Sequence, residues 1–155
     1  MEHISSLEQL DEIMSNLHDC PFDLERATFD VDAKTWTGIF LRPLWEDPRA
    51  EHWGFPLLFV RSRLPVTEAS LTVAGVSAVQ IIDDQGIGTY DFNELERAPD
   101  GVRLCFNQAL RIDLNLAGSI DATYDEKLLP GVRATYRQFL LVQSGPKIEQ
   151  VMEAD

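Results

Sequence analysis

His18, Asp19 and Cys20 are consecutive, and no other short stretch of the chain sets an imidazole, a carboxylate and a thiol side by side. Cys20 with His18 as its base is one arrangement for a nucleophile, because residues two apart on an extended chain share a face. A metal ion needs three or four ligands, so this tripeptide would have to recruit His3, His52 or Cys105, and neighbours on a strand point to opposite faces. The plainer reading has His18 and Asp19 satisfying backbone groups at a helix-to-strand junction, with Cys20 as a core thiol. His18 and Asp19 are carried forward as candidate binding residues; no metal site and no cofactor is predicted.

A second constellation is Arg42, Trp45, Arg49, His52, Trp53, Arg61 and Arg63. Arginines hold carboxylates or phosphates through forked hydrogen bonds and indoles stack on flat or cationic groups, so this region reads as an anion or small-ligand mouth. From it Arg42, Trp45, His52, Trp53, Arg61 and Arg63 are the candidate binding residues. The competing reading has the tryptophans covering a core edge and the arginines pairing with nearby carboxylates. A third set, Asp83, Asp84, Asp91, Glu94, Glu96 and Asp100, lacks the later ligand positions of a calcium loop. It reads as a solvated acidic face, or as a dock for a basic protein. Phosphate-cradling glycine loops, the nucleophile elbow, HExxH and CxxC are all absent, which argues against an enzyme.

Those residues sit in a chain of 155 positions, a length that suits a single domain over 1–155. Hydrophobic residues at 45% supply enough apolar surface to offset chain entropy. A net charge of −13 repels phosphate backbones and anionic membranes, so nucleic-acid and membrane partners are not expected, whereas a basic protein would be attracted. No basic-then-apolar leader opens the sequence and no apolar run approaches the roughly 20 residues of a membrane helix. The expected location is the cytoplasm, with Cys20 and Cys105 as unbridged thiols.

The elements that must position the candidates follow from periodicity. Leu7, Leu10, Ile13, Met14 and Leu17 recur at helical spacing, and Ser5 with Glu8 has capping-box spacing, so a helix is expected over about 5–17. From Phe22 the period becomes two. The residues around Asp30–Lys34 read as a turn between two strands, 43–56 as an ordered loop, and Leu57–Leu64 and Glu68–Ala74 as strands. Val102, Leu104 and Phe106, then Leu110, Ile112 and Leu114, alternate with polar residues after an Asp100-Gly101 turn. Lys127–Gly131 reads as a loop, and 147–155 as a frayed tail after a β region over about 22–143. The fold class expected is mainly β, an antiparallel sandwich or open barrel of about seven to nine strands with one N-terminal amphipathic helix.

Leu17-His18-Asp19, followed by Phe22, Leu24 and Phe29-Asp30, resembles the LHD opening of many small uncharacterised bacterial β-rich domains. Leu71–Val76 followed by Val79-Gln80-Ile81 is similar to those domains too, and 43–56 is an insertion relative to them. Some belong to immunity-protein families of polymorphic toxin systems. That resemblance implies a bacterial, non-enzymatic, acidic protein-binding module that neutralises a basic partner. Beside it stand a small-ligand or anion-binding protein, enzymatic in one version, that uses 42–63, and a self-associating structural module that forms a homodimer.

Overall fold

A computed structural model describes residues 1–55 and 58–151. Twelve strands and one α-helix occur among them. In chain order they are β1 (Glu2–Ile4), α1 (Leu7–Ser15), β2 (Pro21–Asp23), β3 (Thr28–Asp30), β4 (Thr35–Pro43), β5 (Glu51–Phe55), β6 (Phe59–Ala74), β7 (Val76–Asp83), β8 (Thr89–Ala98), β9 (Gly101–Phe106), β10 (Leu110–Leu116), β11 (Ala122–Phe139) and β12 (Val142–Gln150). The hydrogen-bonded order is β1-β11-β6-β4-β2-β8-β9-β10-β7, with β12 on β11, β3 on β4 and β5 on β6.

The chain is mainly β and antiparallel with one helix, as the periodicity predicts. The expected count of seven to nine strands is too low. Strands β1, β2 and β3 are three residues each, too short to show a period of two. The twelve also form one hydrogen-bonded set instead of the two separate sheets of a sandwich. By compactness the chain divides into two units, Met1–Leu41 with Ala69–Glu126, and Arg42–Glu68 with Lys127–Asp155.

In the first unit the helix is shorter than the predicted span. Its cap lies one residue later than expected: Ser6 Oγ accepts from the Gln9 N–H (3.2 Å), and Gln9 Oε1 accepts from the Ser5 N–H (2.9 Å). This differs from a reciprocal capping box, because Gln9 reaches the N–H of the residue before the cap and not that of Ser6 itself. Leu10, Ile13 and Met14 turn inward, with Leu17 just beyond. They cover a core in which the Phe22 ring lies 5.0 Å from that of Phe40 and 4.6 Å from that of Phe106. Phe92 meets both Phe40 and Phe106 edge-on, a favoured aromatic geometry. Val102, Leu104, Ile112 and Leu114 fill the rest in the alternation read from sequence. Gly38 is required under Trp36, because a Cβ there would collide with the indole. Gly75, at φ +69°, makes the bend where β6 ends and β7 leaves to pair with β10.

The second unit is built from two hairpins. β5 pairs with β6 from Glu51↔Arg63 to Phe55↔Phe59, and β11 pairs with β12 from Val132↔Gln150 to Phe139↔Val142. Leu64, Val66 and Ala134 are its buried apolar residues. Three expectations are corrected here. The predicted loop at 43–56 contains β5, Lys127–Gly131 lies inside β11, and the predicted tail from 147 belongs to β12 up to Gln150. All five residues of β5 are exposed, so no burial alternation marks it, and β12 is almost as polar. Pro56 and Leu57, read as loop and strand start, and 152–155 of the tail lie outside the described residues.

Replacing Phe22 by alanine would open a cavity against the Phe40 and Phe106 rings at a fully buried site. Phe22→Ala is expected to lower unfolding free energy by about 3–5 kcal/mol in urea titrations, against about 0.5 kcal/mol or less for a change at exposed Val31.

Candidate functional site

The LHD segment is a junction. Leu17, His18, Asp19 and Cys20 fold into a turn closed by the Cys20 N–H to the Leu17 carbonyl (2.9 Å), with Asp19 at φ +61°. Asp tolerates that left-handed conformation better than most residues. The Asp19 N–H donates to the Phe92 carbonyl (2.8 Å) and the Phe92 N–H to the Cys20 carbonyl (3.0 Å), which stitches the turn to β8 and delivers Phe22 to the core. His18 Nδ1 donates to the Asn93 carbonyl oxygen (2.6 Å), and its Nε2 lies 3.5 Å from Asp19 Oδ2. Cys20 is 4% exposed and packs inward while the imidazole stays on the surface. This is the junction role that the plainer sequence reading assigned to the three residues. The other thiol, Cys105, is pushed up to about 11 by burial and by Glu96, which removes thiolate at neutral pH. Among the described residues no three His, Cys, Asp or Glu side chains converge as metal ligands.

Beside the helix the first unit carries a groove. Leu7, Glu8 and Asp11 of α1 face Leu95, Glu96 and Arg97 of β8 across a hollow of about 230 Å³. Leu7 and Arg97 also border a second, wider hollow of about 660 Å³ that reaches Asp100, Ser119 and Ile120. One member of the acidic set, Glu96, thus meets the helix carboxylates Glu8 and Asp11, which the sequence reading left out of that set, while Asp100 lines only the adjoining hollow. Helical spacing exposes Glu8 and Asp11, yet nothing in the sequence says which strand the helix lies against.

The second unit gathers most of the Arg and Trp candidates. On one face of the β5–β6 hairpin, His52 Nδ1 shares a hydrogen bond with Ser62 Oγ (2.8 Å) and its ring lies parallel to that of Trp45 at 6.2 Å. Tyr136 of β11, which sequence reasoning missed, adds a ring 4.7 Å from Trp45. On the other face the Arg61 guanidinium sits 5.2 Å from the centre of the Trp53 ring. Arg63 lines a pocket of about 420 Å³ with Pro48, Arg49, Glu51, Arg133 and Val151. Arg133 comes from a strand seventy residues on, so its approach had no local signal. Arg49 is already engaged by a forked pair to Asp47 (2.9 and 2.8 Å), which holds that carboxyl at about 2. Arg42 does not line the pocket; its carbonyl accepts from Thr67 Oγ1 (3.3 Å). His18 and Asp19 belong to the first unit and do not join this group.

Near the LHD turn, half-buried Asp91 is raised above the ordinary carboxylate range by loss of solvent and by the Asp19 charge. An acid raised on folding holds its proton more tightly when folded, so its charge opposes folding above the raised value. That cost fades as pH falls from the raised value to the ordinary one. Asp91→Asn is therefore expected to raise the thermal midpoint at pH 7, by an amount equivalent to less than about 1 kcal/mol given partial exposure. The gain shrinks near pH 4, and a lower midpoint at pH 7 would contradict this.

No protein-family model, no curated protein and no solved structure matches this chain, so its residues and their geometry carry the functional argument.

Proposed function

We propose that the chain is a non-enzymatic binding module whose acidic first unit docks a basic protein. The observation that carries this is the partition of charge. Eight of the 13 Lys and Arg but only seven of the 26 Asp and Glu belong to the second unit, leaving it at +1 and the first unit at −14. A surface so biased draws a cationic partner in by long-range steering. The groove between α1 and β8 sets Glu8, Asp11 and Glu96 around Leu7 and Leu95, with Arg97 on the same wall and Asp100 on the adjoining hollow, a place for basic side chains and their apolar stems. The immunity-type role, neutralising a basic toxin, rests on the resemblance of the LHD opening and fits this chemistry.

The test is co-purification with a basic candidate encoded beside this chain, followed by a salt titration of the complex. Tight binding at low salt is expected, weakening steeply toward 0.5 M salt. The triple variant Glu8→Lys, Asp11→Lys, Glu96→Lys is expected to cut affinity by about a hundredfold, each exposed charge contributing about 1 kcal/mol or somewhat more on reversal. Binding indifferent to both salt and these changes would remove the proposal.

A second reading is favoured by the pocket that Arg63 and Arg133 share. Two guanidiniums on one hollow suit a phosphate or carboxylate. Calorimetric titration with inorganic phosphate is expected to show binding that Arg63→Ala weakens about tenfold. Asp47→Asn, by releasing Arg49 toward the hollow, is expected to strengthen it; no heat in either protein ends this reading.

A further inference from the structure

Among the described residues two buried side-chain polar atoms make no hydrogen bond, Arg61 Nε and Thr135 Oγ1. Both belong to one face of the second unit's sheet. Thr135 stands directly opposite Lys147 in the β11–β12 pairing, so their side chains share a face. Lys147 pairs with Glu149 (2.5 Å), and that carboxyl is held below its usual range by the Lys147 ammonium first and more weakly by Arg61 and Arg63 of β6. An orphaned buried polar atom costs free energy comparable to a lost hydrogen bond and is rare in a folded chain. Two on a single face point to a partner that the chain itself does not supply.

Thr135 also lines a hollow of about 340 Å³ with Arg137, Ser144, Lys147 and Glu149. The hollow lies where the β11–β12 register slips. Thr135 pairs with Lys147 and Arg137 with Ser144, so Gly145 and Pro146 together oppose Tyr136 alone. Such a bulge re-aims the side chains beside it. Glycine is required at 145, because a Cβ there would come within 2.9 Å of the Thr135 carbonyl oxygen. Thr135 is 5% exposed, whereas Arg137 is open to solvent and has no carboxylate partner among the described residues. Ser144 Oγ already donates to the Arg137 carbonyl (3.3 Å). Lys147 keeps further donors beside the one given to Glu149. At the hollow, then, two cations face one carboxylate.

We infer that this hollow binds a phosphate group, held by the Arg137 guanidinium, the Lys147 ammonium and the Thr135 hydroxyl. A planar carboxylate is satisfied by the fork of one guanidinium, whereas donors that converge from two strands and from a buried base suit a tetrahedral oxyanion. Glu149 is the internal competitor: it holds Lys147 until the anion takes its place. Lys147, with its side chain 74% exposed, is able to make that exchange, and its stem uncovers the hydroxyl opposite as it moves. The hollow shares no lining residue with the one between Arg63 and Arg133, so the two sites stand or fall separately.

The experiment is a titration of the isotopically labelled full chain with inorganic phosphate at constant ionic strength, followed through backbone amide shifts by NMR. Saturable shifts are expected at Thr135, Arg137, Gly145 and Lys147. Arg137→Ala, at an exposed position, is expected to weaken binding about tenfold, and Thr135→Val, which keeps the shape and removes the hydroxyl, about fivefold. Thr135→Val is also expected to leave the thermal midpoint of the phosphate-free protein unchanged or higher, because the hydroxyl has no partner there to lose. Glu149→Gln is expected to tighten binding by freeing Lys147. Shifts confined to Arg49–Glu51, shifts that never saturate, or an affinity that neither Arg137→Ala nor Thr135→Val weakens overturns the inference. A lower midpoint in Thr135→Val also counts against it, since the hydroxyl would then serve the fold.

Discussion

Phe22 is the contact on which the first unit depends. It sits in a strand of three residues that pairs with Phe40 of β4 on one side and Tyr90 of β8 on the other. So short a strand has only a short ladder to hold it, and its place is reinforced by the ring tilted against Phe40 and Phe106. The features just before it serve that placement. Asp19 takes a left-handed backbone, and the paired bonds between Asp19, Cys20 and Phe92 fix where the chain enters. Helix α1 then closes over the result with Leu10, Ile13, Met14 and Leu17.

This explains why a chemically suggestive tripeptide works as scaffold. His18 spends its Nδ1 hydrogen on a backbone carbonyl of β8, and Cys20 is turned inward. A nucleophile needs an exposed, activated thiol, and a general base needs a free nitrogen beside it. The fold uses these polar atoms where an end of helix and a start of strand would otherwise leave backbone groups unmatched. The same economy appears across β9 and β10, where Arg103 forks onto Asp113 at 2.7 and 2.9 Å and holds that carboxyl below its usual range.

How much of this was legible depended on length and burial. Val102, Leu104, Phe106, Ile112 and Leu114 announce β9 and β10 because one face of each is wholly buried. The turns at Asp30–Lys34 and Asp100-Gly101 follow from their residues alone. The strands expected over Leu57–Leu64 and Glu68–Ala74 are one, β6, which runs through Pro65; proline lacks a ladder donor, but its carbonyl accepts from the Leu44 N–H (2.9 Å). β5 and β12 escaped because both are mostly exposed, so no face is selected. At the candidate site, Trp45, His52, Arg61 and Arg63 lie within one sequence window and were found together. Tyr136 and Arg133 arrive by strand pairing from β11, which a single sequence does not encode locally.

The partition of charge and the apolar tips bear on one problem. Side chains such as Leu141 and Phe55, held at hairpin ends, tend to drive nonspecific association when nothing covers them. The net charge of −13 opposes this at a distance, because every approaching copy carries the same sign. The hairpins add little to this near their tips, since 52–67 and 127–148 contain no Asp or Glu and the flanking carboxylates are Glu51 and Glu149. Most of that charge belongs to the first unit, where 19 of the 26 acids lie, so the exposed tips are kept apart chiefly by residues elsewhere in the chain.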